Sequence, residues 1–125
     1  MLLFKKKFHD ALREGTKTQT VRLGKVCRFR AGQRSYIPGV GYIWITAVDP
    51  VRLEDLTDDD AVLDGFASAA ALLAEIQALY AEQLAAGHQA YRVRFRRMTP
   101  DEAAAAKLAR AAKKGAGERT RKSSP

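Results

Sequence analysis

Apolar residues recur along the chain at two different spacings, and the switches between those spacings divide it into elements. At residues 4–14, Phe4, Phe8, Ala11 and Leu12 stand at helical spacing, and Gly15 supplies a stop. Residues 18–23 are rich in Thr and Val and predict a strand. Residues 25–37 are less regular, with a turn at Ala31-Gly32 and a short strand at 34–37. Pro38-Gly39-Val40-Gly41 is a second turn. The run YIWITAV, residues 42–48, is aromatic and β-branched almost throughout and predicts the strongest strand, which Pro50 ends or edges.

The period then lengthens. Thr57 before Asp58-Asp59-Asp60 has the form of a helix N-cap followed by an acidic first turn, and Gly65 closes that short helix. Ser68 is a second N-cap, opening a helix over 69–84 with Leu72, Ile76, Leu79 and Tyr80 on one side and Gly87 at its end. Residues 90–98 alternate: Tyr91, Val93 and Phe95 point one way, Arg92, Arg94 and Arg96 the other. This is a half-buried strand bearing a row of arginines. Pro100 opens an alanine-rich helix with acids first and bases last, which offers little apolar face beyond Leu108. GAGERTRKSSP reads as a disordered tail.

This order predicts an α+β domain over residues 1–98 around a small, mostly antiparallel sheet or barrel, with 99–125 as an appendage. The length, 125 residues, suits a single core. Net charge is +8, and half of the excess lies from Thr99 onward, so a polyanion such as RNA is a candidate partner of both body and tail. A single cysteine, Cys27, excludes an internal disulfide and any CxxC motif. The basic N-terminus is followed by no long apolar run, and no stretch has the composition of a membrane span. A soluble, cytoplasmic protein is expected.

Candidate chemistry is sparse. No Walker, GxGxxG or HExxH motif occurs, His9 and His88 lack ligand spacing, and the acids at 58–60 belong to a helix first turn, so neither metal nor cofactor is expected. EGTKTQTVRL remains, a segment too polar for a strand that only buries one face. In a regular strand Thr18, Thr20 and Arg22 share one face, while Lys17, Gln19 and Val21 share the other. Lys17 and Thr20 meet only if the chain turns near Lys17, which Gly15 permits. A lysine desolvated beside Arg22 would then have a lowered pKa and could deprotonate the threonine. The plain alternative is a polar edge strand with its hydroxyls in water. Residues alone leave both readings open.

Gly15, Lys17, Thr20 and Arg22 compose G-x-K-x-x-T-x-R, and residues 56–68, LTDDDAVLDGFAS, follow the pattern L-T-x-x-x-A-x-x-[DE]-G-F-x-S. In this order, with YIWITAV between them and YRVRFRR after, they resemble the ASCH domains of the PUA-like superfamily over residues 4–97. The resemblance implies a β-barrel-like fold with flanking helices and a cleft proposed to bind RNA or modified nucleosides. Some small bacterial members are amidohydrolases of N4-acylated cytidine, and others suggest a ribonuclease. By that analogy Thr20 is the nucleophile and Lys17 activates it. The acid maps to Asp64, where those enzymes carry Glu. Asp is shorter by one methylene, about 1.5 Å, and a shift of about 1 Å can cost about 100-fold in rate. Negative charge at a helix C-terminus is unfavourable, so Asp64 at that place also hints at a role. Arg22 is expected to hold a carboxylate or a substrate oxygen. Gln19, Phe66 and Trp44 complete the expected substrate-binding set; Trp44 shares a strand face with Tyr42, where core packing is the plain reading. The implied substrate is a modified pyrimidine nucleoside. The alternative is an RNA-binding module using Arg92, Arg94, Arg96 and the basic tail.

Overall fold

The structure is a computed structural model that describes Leu2 and residues 4–123, with side chains described through residue 112. It contains α1 (His9–Glu14), β1 (Gln19–Gly24), β2 (Arg34–Ile37), β3 (Gly41–Val51), α2 (Asp58–Asp64), α3 (Ala69–Leu79), α4 (Ala81–Ala85), β4 (Gln89–Arg97) and α5 (Pro100–Ser123). The four strands form one antiparallel sheet in the order β1-β4-β3-β2, curled into a half-barrel. The expected α+β class with an antiparallel, barrel-like sheet and flanking helices is therefore present.

Each face of the sheet buries its own cluster. Leu2, Leu12, Ile37, Ile43, Ile45, Val93 and Phe95 fill the side that α1 covers. Val21, Leu56, Ala61, Leu72, Ile76 and Ala90 join α2 and α3 to the opposite side. The alternation along β4 produces this division, because Val93 and Phe95 enter the first cluster while Ala90 enters the second. A bulge between Ile45 and Ala47 admits Thr46 as an extra residue in β3.

Several boundaries differ from expectation. The first helix begins only at His9, after a 3₁₀ turn at Lys6–Phe8. The segment before it is extended, with Lys5 at φ −63°, ψ 147°, because Leu2 and Phe4 are drawn into the core, Phe4 packing edge-on against Phe95. The helix expected over 69–84 breaks at Tyr80 (φ −121°, ψ 29°) into α3 and α4. β3 runs through Pro50 to Val51, since the bonds on its β2 side end at Ile45 and a missing N–H further along costs no ladder bond there. Thr57 and Ser68 cap α2 and α3 as their sequence positions require, Thr57 in a reciprocal capping box with Asp60.

α5 continues past Lys114 to Ser123, so the backbone from Gly115 on is helical rather than a tail; its side chains, and residues 124–125, lie outside the described residues. Alanine, lysine, arginine and glutamate outweigh Gly115 and Gly117 in helix propensity. The helix is fastened by more than Leu108, which is exposed: Ala106 is buried, and Glu102 accepts hydrogen bonds from the Trp44 indole and the Arg96 guanidinium. Among the described residues no single helix is long and apolar enough to cross a membrane.

Candidate active site

β1 is an edge strand, yet three polar residues around its start are buried. Lys17, Gln19 and Thr20 are 2%, 0% and 6% exposed. The polar-edge reading of EGTKTQTVRL holds for Thr16, which is exposed, and fails at Lys17, Gln19 and Thr20. The chain reaches this position through a tight turn. Gly15 closes α1 in the left-handed region at φ 78°, and the Thr16 and Lys17 amides both donate to the Ala11 carbonyl. The Thr18 amide then donates to the Leu63 carbonyl, which ties the entrance of β1 to the end of α2.

Lys17 is thereby aimed at the C-terminus of α2. Its ammonium donates to Asp64 Oδ1 at 2.6 Å, to the Gln19 carbonyl at 3.1 Å and to the Asp64 carbonyl. One cation thus serves one carboxylate oxygen and a helix-terminal carbonyl together, which offsets the misplaced negative charge of Asp64 against the helix dipole. Asp64 reaches the amine despite lacking the extra methylene. Gly65 at φ 91° turns the chain immediately after it.

Burial is the chief influence on both partners. It pulls the Lys17 ammonium below 10.5, and the Asp64 charge only partly opposes this. It pushes the Asp64 carboxyl above 3.8, against the opposing pull of Lys17 and then of Arg22. Each group is moved toward its neutral form, which narrows the gap between their affinities for a proton. Asp64 Oδ2 is buried and lacks a hydrogen-bond partner among the described residues; the Val21 N–H favours its charged form without completing a hydrogen bond.

Thr20 stands on the same cavity wall. Its Oγ1 accepts from Arg22 Nε at 3.0 Å, which leaves its own hydrogen for another acceptor. Arg22 lies over the Phe4 ring, 5.0 Å from its centroid, and Lys17 Nζ lies 4.6 Å from the Phe8 centroid. These rings face a cavity of about 250 Å³ between the N-terminal segment, β1 and α3. Phe66, Leu72, Ile76 and Tyr80 supply much of the rest of its wall, apolar and partly aromatic around a few polar groups.

The structure brings Lys17, Thr20, Asp64, Arg22 and Phe66 to this one cavity. The amine holds Asp64 rather than Thr20, a partner the spacing within EGTKTQTVRL does not disclose. Gln19 lies behind the wall, donating to Asp60 Oδ1 at 3.2 Å, and does not line the cavity. Trp44 is elsewhere: its indole N–H donates to Glu102 on α5 at 3.0 Å, so base stacking by Trp44 in this cavity is ruled out. The arginine row is partly neutralised, Arg92 by Asp60 at 3.3 Å and Arg96 by Glu102 at 2.9 Å, while Arg94 is exposed. Phe4, Phe8 and Tyr80 were not foreseen as site residues. Their signal was present only as apolar positions of helical segments. Among the described residues no group of three His, Cys, Asp or Glu could hold a metal ion.

Comparison of the chain with protein-family models, curated proteins and solved structures returns no match.

Proposed function

We propose that this protein is an amidohydrolase that needs no metal and removes the acyl group from the exocyclic nitrogen of N4-acylated cytidine. The observation that carries the reading is the buried Lys17–Asp64 hydrogen bond of 2.6 Å on the wall that also presents the Thr20 hydroxyl. A nucleophile, a base and an acid stand together in a cleft lined with rings suited to a flat heterocycle. The substrate itself is suggested by the resemblance of G-x-K-x-x-T-x-R and LDGF to ASCH domains.

The proposed cycle starts with the shared proton on Asp64 and Lys17 as a neutral amine. Thr20 Oγ attacks the acyl carbon as its proton passes to Lys17. The carbonyl oxygen becomes an oxyanion next to the Arg22 guanidinium, which also holds Thr20 in position. On collapse the C–N bond breaks, and the Asp64 proton passes to the departing nitrogen, releasing cytidine. What remains is an acyl ester on Thr20 beside an ammonium–carboxylate pair. Water then attacks the ester, Asp64 takes its proton, and Lys17 returns a proton to Thr20 Oγ. The acid leaves and the starting state is restored.

The test is release of acetate from N4-acetylcytidine by the full chain, with Thr20→Ala measured beside it. Turnover that disappears in the variant sustains the reading. If no acylated cytosine is turned over while RNA is bound with steep salt dependence, the chain is an RNA-binding module instead.

A further inference from the structure

A second cavity, of about 350 Å³, adjoins the first, and Arg22 lines both. Its chemistry is different. Lys25 and Arg28, both exposed on the loop after β1, join Arg22 there, and no carboxylate is among the described residues lining it. His88 adds a buried Nδ1 without a hydrogen-bond partner among the described residues. Tyr91, which faces Arg22 across the β1–β4 ladder, is also part of the wall.

Some surface cations elsewhere stand against acids. Lys5 and Lys7 meet Glu75, Arg52 meets Glu54, and Arg96 meets Glu102. Lys25, Arg28 and an imidazole around one concavity, with Arg22 at its border and no carboxylate among its described lining residues, suit an anion that carries several acceptor oxygens. The first cavity, by contrast, is mostly apolar and ringed. A nucleotide has this same polarity, a flat ring at one end, a phosphate at the other and a ribose between.

We propose that the second cavity is a phosphate subsite, so that the preferred substrate is a phosphorylated acylcytidine with its base in the first cavity and its phosphate at Lys25 and Arg28. This rests on the acylcytidine reading of the first cavity. Two sources supply the same chemistry, a mononucleotide and the backbone of an RNA strand.

The experiment compares kcat/KM for N4-acetylcytidine, its 5′- and 3′-monophosphates and a short RNA containing the same base. A gain of about tenfold or more from the phosphate is expected, the size of one charge-assisted contact. In K25Q/R28Q the ratio of phosphorylated to unphosphorylated substrate falls to about one. Preference for a monophosphate identifies the free nucleotide as the source, and preference for the RNA over both identifies the strand. Equal kcat/KM with and without phosphate, or a ratio unmoved in the double variant, overturns the subsite. A binding arm separates this from failure of the hydrolase reading. Cytidine and cytidine monophosphate are titrated into the Thr20→Ala protein and followed by NMR. Tighter binding of the monophosphate that depends on Lys25 and Arg28 sustains the subsite even if no acyl group is ever cleaved. Equal binding removes the subsite whatever the hydrolysis assay shows.

Discussion

Lys17 Nζ stands 2.6 Å from Asp64 Oδ1 with the two side chains only 2% and 4% exposed. An ion pair so withdrawn from water is rarely a net source of stability, because the attraction is set against two desolvation costs. Losing one member is worse, since it strands the other. Thus Lys17→Met and Asp64→Leu should each lower unfolding free energy by about 3–5 kcal/mol, whereas the double variant recovers much of that loss. Urea titration of the four proteins measures the cycle. Additive losses would show that the two groups are not energetically coupled.

The same pair sets the pH response. Burial lowers Lys17 from 10.5 and raises Asp64 from 3.8, and the active pair carries one proton between them. A second proton binds below the raised Asp64 value, and the last one leaves above the lowered Lys17 value. The profile of kcat/KM is therefore bell-shaped, with both limbs inside the interval 3.8 to 10.5. Stability curves the opposite way. Between 3.8 and the folded Asp64 value the native state holds the extra proton, so stability falls as pH rises. Between the folded Lys17 value and 10.5 the unfolded state holds it, so stability rises with pH. Measured against the K17M/D64L protein, the wild type should be least stable on the plateau between. Activity limbs lying outside the interval would contradict the assignment.

Thr20 gives a sharper chemical test, because among the described residues its hydroxyl has one structural bond, from Arg22 Nε. Thr20→Ser keeps the oxygen and should retain measurable turnover. Thr20→Val keeps the shape and should lose at least about 1000-fold in kcat, as loss of a nucleophile does. Mass spectrometry of wild type quenched with substrate should find the acyl group on Thr20. Equal activity in the serine and valine variants would assign the nucleophile elsewhere.

Asp64→Glu restores the residue type that the ASCH resemblance implies, and here it should harm. Asp64 is 3% exposed and already contacts the amine at 2.6 Å, so a longer side chain must be fitted into a buried corner whose amine is already engaged. A further methylene overpacks this corner, at a cost of about 1–3 kcal/mol, and displaces the acid by about 1 Å or more, which lowers kcat/KM by about 100-fold. A gain in activity would mean that the wild-type acid is held too far from the substrate.

The legible parts of this fold were those decided locally. Thr57, Ser68 and Gly65 mark α2 and α3 by their own capping chemistry, and the alternation of 90–98 announces β4. The helix break at Tyr80 was not legible, because Tyr80 leaves the helix to line the cavity and bond Arg22, a partner 58 positions away in sequence. Trp44 failed for a like reason: its face is set by Glu102, which local pattern does not connect to it. At the site, Gly15 permitted the turn that buries Lys17. Only the tertiary contact of β1 with α2 assigns that lysine to Asp64 instead of Thr20.

Trp44 also reports on α5. It is the one tryptophan of the chain, half-buried under a helix whose Glu102 binds both its indole and Arg96. Those hydrogen bonds, first that from Arg96, hold the Glu102 carboxyl down to about 2, so the contact is intact across neutral pH. Deleting residues 99–125 should move Trp44 emission to the red, and Glu102→Gln should do so to a smaller extent. No described residue of α5 is among those lining the first cavity, so hydrolysis of N4-acetylcytidine should stay within about twofold of wild type in both. RNA binding should weaken in the deletion alone, through loss of the basic end of the helix. Should hydrolysis collapse together with the fluorescence change, α5 would have to be counted as part of the frame that holds Lys17, Thr20 and Asp64 in place.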